Sequence, residues 1–103
     1  MDKVERDGKI AVLYSPGYGA GWYSWHNKEE LIFDPVVVQM VEENRREDIP
    51  EYVKNKYPGE YLYTGGAPDL RIEWVPKGNR FEIHEYDGSE SFHWFYPDDS
   101  LVA

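Results

Sequence analysis

The chain has 103 residues, the size of one domain, and its 4 Trp, 9 Tyr and 4 Phe carry enough apolar surface for a core. Asp and Glu number 20 against 11 Lys and Arg, a formal charge of -9 that repels nucleic-acid backbones and anionic membrane surfaces. The absence of Cys excludes disulfide scaffolds, zinc-thiolate sites and cysteine nucleophiles. No apolar run approaches the roughly 18 residues of a membrane span, and the charged opening MDKVERDGK is not a signal peptide. The reading is a single cytoplasmic domain over residues 1–103.

Residues 1–8 are polar and read as a short lead-in. Residues 9–15, KIAVLYS, form an apolar run between Gly8 and Pro16, which predicts a buried strand. In SPGYGAGWYSWHN, Gly17, Gly19 and Gly21 are interleaved with Tyr18, Trp22, Tyr23 and Trp25, which predicts a long ordered loop. Asp34-Pro35 is an N-cap followed by proline at the first helical position. A helix over 35–46 then places Val37, Met40, Val41 and Asn44 on one face, with Arg45 and Arg46 at its negative end. A second short helix near Pro50 carries Tyr52, Val53 and Tyr57 toward the core and stops at Pro58-Gly59.

A short strand fits 60–63. The last third alternates with period two, through DLRIEWVP, a PKGN turn, RFEIHEY, a DGSE turn and SFHWFYP. Phe81, Ile83 and Glu85 share one face of their strand, and Phe92, Trp94 and Tyr96 share one face of theirs. The fold class is α+β, a small and mostly antiparallel sheet ending in a C-terminal meander, with one or two helices packed on one face.

Two loops are candidate binding elements. After a strand, the glycines of 15–25 expose backbone N–H groups that suit phosphate or carboxylate oxygens. Aromatic rings beside them stack on a base or sugar. Ser15, Gly17, Tyr18, Gly19, Gly21, Trp22 and Trp25 are the ligand-binding candidates there. The loop lacks the Gly-Lys-Ser/Thr ending of a Walker A motif and the frame of a dinucleotide fingerprint. Core plugging by Trp22 and Trp25 stays open as the alternative.

The second loop offers Thr64, Gly65, Gly66 and Asp69, with Asp69 as acceptor for a sugar hydroxyl or base. Arg71 is a cation for phosphate in a chain with few, although cross-strand pairing of Arg71 and Arg80 with Glu73 and Glu82 remains open. His26, His84 and His93 lack metal-ligand spacing, so no metal and no cofactor are expected. Ser15, Ser24 and Ser91 lack a nucleophile context, which leaves no enzymatic signature.

The stretches IAVLYSPGYGAGWYSWHN and YTGGAPDLRIEWVPKGNRFEIHEYDGSE resemble a family of small phage- and prophage-encoded proteins. The resemblance rests chiefly on Gly19, Ala20, Gly21, Trp22 and Trp25 and on the turn at 86–90. It implies a host bacterial cytoplasm and action against host defence. The resulting expectation is a non-enzymatic anti-defence protein that sequesters a nucleotide-like immune signal in a pocket of the two loops, with a homo-oligomer one way to build it. The alternative is an acidic inhibitor docking on a host defence or nucleic-acid-binding protein.

Overall fold

A computed structural model of the protein describes residues 2–16, 22, 28–60, 62, 64–86, 89–93 and 101–103. The polar lead-in contains a strand. Strand β1 (Glu5–Arg6) pairs antiparallel with β2 (Lys9–Tyr14) across a two-residue turn, Asp7-Gly8. Both turn residues have positive φ, 51° and 76°, as the right-handed twist of a tight hairpin requires.

Strand β2 then pairs along its whole length with β3 (Arg71–Pro76), from Lys9↔Pro76 to Tyr14↔Arg71. Ile10, Ala11, Val12 and Leu13 are all buried, so β2 is covered on both faces, which explains its continuous apolar run.

Helix α1 (Glu30–Phe33) is a single turn that buries Leu31, Ile32 and Phe33. Helix α2 (Pro35–Glu42) starts where its Asp-Pro signal places it, because the Asp34 carboxylate accepts from Val36 N–H (2.9 Å) and Val37 N–H (3.3 Å). It ends before the expected Arg46. Asn44 takes φ 58°, and Arg45 N–H turns back to Met40 C=O at 2.7 Å, closing the helix in the manner of a Schellman motif. Asn44 is therefore exposed and does not join Val37, Met40 and Val41 in the core.

A 3-10 turn (Arg46–Asp48) leads into α3 (Ile49–Lys56), which buries Ile49 and Val53. The strand expected over 60–63 is not formed at Glu60 or Leu62, and its other two positions lie outside the described residues.

The remaining strands form a second antiparallel sheet in the order β5 (Ser89–His93), β4 (Arg80–Tyr86), β6 (Leu101–Val102). Over 80–86 and 91–93 the β4–β5 hairpin follows expectation except at its turn, and residues 94–97 of the expected strand, with Trp94 and Tyr96, lie outside the described residues. Ser89 pairs with Tyr86 and Glu90 with Glu85, so two of the four residues of DGSE belong to the strand.

The α+β class holds, but the single meander does not. Among the described residues β3 and β4 are unpaired, and each joins a different sheet. The turn between them spends its backbone groups elsewhere: Lys77 N–H donates to Gly8 C=O, Gly78 N–H to Ala103 C=O, and Ala103 N–H to Asn79 C=O. Strand β6 then occupies the edge of β4, at Arg80↔Val102 and Phe81↔Leu101, that a β3–β4 hairpin would have used.

An aromatic column joins the two sheets. Phe33 meets Phe81 edge-on at 6.3 Å, Phe81 stacks on Phe92 at 5.3 Å, and Phe92 reaches Tyr14 at 6.5 Å. Among the described residues no helix is long and apolar enough to cross a membrane.

Candidate functional site

Where the β2–β3 ladder ends, at Tyr14↔Arg71, the chain leaves β2 through Ser15 and Pro16 and enters β3 through a 3-10 turn, Ala67–Asp69, and Leu70. Arg46, from the turn after α2, donates its Nε–H to Leu70 C=O at 3.0 Å and its Nη1–H to Asn44 Oδ1 at 2.8 Å. These elements enclose an open cleft of about 270 Å³ lined by Pro16, Arg46, Pro68, Asp69, Leu70 and Arg71.

The cleft has an unusual charge balance for so acidic a chain. Arg6 is committed to Glu42, and Arg45 to Glu43 and Asp48. Arg46 and Arg71 form no ion pair among the described residues, and both line this cleft. Arg46 is held flat by two neutral acceptors, so its charge is oriented without being neutralised. Arg71 projects from the last pair of the ladder and is exposed. Asp69 sits on the same rim, exposed, and pairs with neither arginine. Two cations, one of them held in place, beside one acceptor match a ligand with an anionic end and hydroxyl or amino donors.

Behind the cleft lies a buried polar joint. Glu90, 1% exposed, projects from β5 into the interior on the face that carries Phe92. Its Oε1 accepts from Ser15 N–H at 2.9 Å and its Oε2 from Trp22 N–H at 2.8 Å. Glu90 N–H donates to Ser15 C=O at 2.8 Å, the Ser15 hydroxyl donates to Gly66 C=O at 2.8 Å, and the Ser89 hydroxyl donates to Pro16 C=O. One carboxylate thus binds both ends of the segment 15–22. Glu85 stands directly across the hairpin, a like charge beside a buried one, and the backbone donors help to compensate the buried Glu90 carboxylate.

The sequence-derived candidates separate into groups. Asp69 and Arg71 share the cleft. Ser15 and Gly66 are buried in the joint behind it, and Gly65 is exposed nearby in the chain. Trp22 follows the packing alternative: it is 0% exposed, and its indole N–H donates to Leu31 C=O at 2.9 Å, so no face of the ring is offered for stacking.

Thr64 lies apart, in a second groove of about 420 Å³ with Pro50, Val53, Lys54, Glu60 and Leu62. Gly17, Tyr18, Gly19, Gly21 and Trp25 fall outside the described residues. Arg46 and Glu90 were missed. A signal existed for Glu90, which shares the period-two face of Phe92. None existed for Arg46, whose role depends on a helix ending early.

Of the three histidines, His26 lies outside the described residues. His84 and His93 stack at 4.1 Å on the outer face of the β4–β5 hairpin, with Glu82 on His84 at 2.6 Å and Ser91 on His93 at 2.8 Å. Among the described residues no group of three His, Asp or Glu is placed to hold a metal ion.

A separate charged cluster surrounds Asp34, which also accepts from Tyr52 OH (3.0 and 2.9 Å) and from Lys56 Nζ (2.9 Å). The hydrogen bonds to Asp34 and Tyr52 hold the Lys56 ammonium well above the usual lysine range, and burial pushes the Tyr52 phenol up. No family model, curated protein or solved structure matches the chain.

Proposed function

We propose that the protein is a non-enzymatic binding protein that takes a small nucleotide-like anion in the cleft of Arg46 and Arg71. One observation carries this reading: two arginines that form no ion pair among the described residues converge on one cleft in a chain of net charge -9. At about 270 Å³ the cleft falls just under the roughly 300 Å³ where pockets for whole small-molecule ligands begin. It fits the phosphorylated end of a nucleotide, with Asp69 as acceptor for a sugar hydroxyl. The phage setting implied by the resemblance makes a nucleotide-type immune signal the fitting ligand class.

The docking alternative rests on a different observation. Glu29, Glu47 and Glu51 are exposed and form no ion pair among the described residues, which leaves them available to a basic partner.

A thermal-shift panel of nucleotides, cyclic dinucleotides and ADP-ribose derivatives tests the binding reading. A ligand present at about 100 times its Kd adds roughly 2.7 kcal/mol, several degrees in a domain of this size. The expected hit disappears in Arg71→Ala. A panel flat for every ligand class overturns the reading and turns attention to the acidic surface.

A further inference from the structure

Among the described residues Glu90 is a buried charged group whose chemistry the fold alone does not require. A sheet residue on the inward face is ordinarily apolar, and Phe92, Phe81 and Ile83 around it obey that pattern. A carboxylate at this place needs compensating donors, and those it receives belong to residues 75 and 68 positions away in the chain.

Its contacts lead to the anion cleft. Pro16, one wall, is flanked by Ser15, whose N–H is on Glu90 and whose C=O accepts from Glu90 N–H. The opposite wall, Pro68 to Arg71, begins at Gly66, whose carbonyl is held by the Ser15 hydroxyl. Beyond the end of the β2–β3 ladder at Tyr14↔Arg71, the two walls are therefore tied together by a chain of bonds from Glu90 through Ser15 to Gly66.

We propose that Glu90 is a positioning residue for the anion cleft, fixing Ser15 and, through Ser15, the Gly66 wall at the spacing at which Arg71 and Arg46 face one ligand. The inference rests on the anion-binding reading and deepens it, because it places control of that cleft in a residue of β5 that does not line it. Glu90→Gln preserves the size of the side chain but turns an amide donor toward either Ser15 N–H or Trp22 N–H, a donor against a donor. Ser15→Ala leaves the Glu90 bonds to the backbone in place and cuts only the link to Gly66.

The test is calorimetric titration with inorganic pyrophosphate, at a temperature where each variant is folded. The set is the unaltered protein, Ser15→Ala, Glu90→Gln, Arg71→Ala, and Val53→Ala as a destabilised control in α3. Positioning predicts an affinity about tenfold weaker in Glu90→Gln and a smaller loss in Ser15→Ala. It predicts no change in Val53→Ala, although that variant also melts earlier. Amide resonances of residues 66–71 should shift in both joint variants.

Unchanged affinity in Ser15→Ala and Glu90→Gln, with loss in Arg71→Ala, overturns the positioning role and leaves the cleft standing. Absence of binding in the unaltered protein overturns the cleft reading. In that case resonances of 66–71 unmoved by either joint variant overturn the positioning role separately.

Discussion

Among the described residues two carboxylates are buried, Asp34 and Glu90, and they are satisfied in different ways. Asp34 caps α2 with neighbours two and three residues on, and its remaining capacity goes to Tyr52 and Lys56 of α3. Glu90 reaches across the whole chain to backbone donors at Ser15 and Trp22. The first is a local device that fixes where a helix starts and docks a second helix on it. The second is a long-range device that joins β5 to the exit of β2. The difference teaches that burial of charge marks two jobs here, holding a helix pair and shaping the neighbourhood of a cleft.

Substitutions at the two sites separate those jobs. A large loss of stability is expected for Trp22→Ala, about 3–5 kcal/mol for a large buried aromatic, read by urea or thermal unfolding. That variant disturbs the Glu90 joint through the core and is unsuitable as a test of ligand stacking. Glu90→Ala strands two buried N–H groups at about 1–3 kcal/mol each, so a drop in Tm of ten degrees or more is expected. If Glu90→Ala melts like the unaltered protein, the joint does not hold the fold.

Asp34→Ala should cost less, about 1–2 kcal/mol, because Lys56 is partly exposed and returns to water while the cap itself contributes about 1 kcal/mol. A loss equal to that of Glu90→Ala would erase the contrast between the local and the long-range site.

Alkaline titration probes the Asp34 cluster, alongside Tyr57, raised by burial, and Lys28, raised by its hydrogen bond to Glu60. The folded-state values of Lys56 and Tyr52 are both raised, so the folded protein holds more protons than the unfolded chain once the unfolded groups begin to titrate. Their contribution is complete below the unfolded values, about 10.4 for lysine and about 10 for tyrosine, and is lost as pH climbs beyond them. Urea midpoints should fall above about pH 10 and fall less steeply in Lys56→Met with Tyr52→Phe. A parallel decline in that double variant would place the alkaline sensitivity elsewhere.

The smallest effect on stability belongs to Arg71→Ala, within about 0.5 kcal/mol, since the side chain is exposed and forms no ion pair among the described residues. Its Tm should be unchanged while ligand binding is lost.

The same contrast explains what was legible in the sequence. Asp34-Pro35 announced α2 because a cap acts within three residues. The run 9–15 announced β2, and Gly59, at φ 84°, supports the stop after α3. The Asp7-Gly8 hairpin was equally local and was passed over because its flanks are polar. The division into two sheets was not legible, since it depends on Ala103 meeting Asn79 and Gly78, a contact between chain end and turn. Of the candidate site, Asp69 and Arg71 were within reach as loop and strand-start residues. Arg46 was not, because it enters the cleft only after Asn44 reverses the chain.

The most direct test of the anion cleft is a titration of the labelled protein with ADP-ribose and with pyrophosphate, followed by amide and arginine Nε–H resonances. The account predicts saturable shifts concentrated at Asp69, Leu70, Arg71 and the Arg46 side chain, and their loss in Arg71→Ala. Shifts confined to the groove of Lys54 and Thr64, or none at saturating ligand, would contradict it.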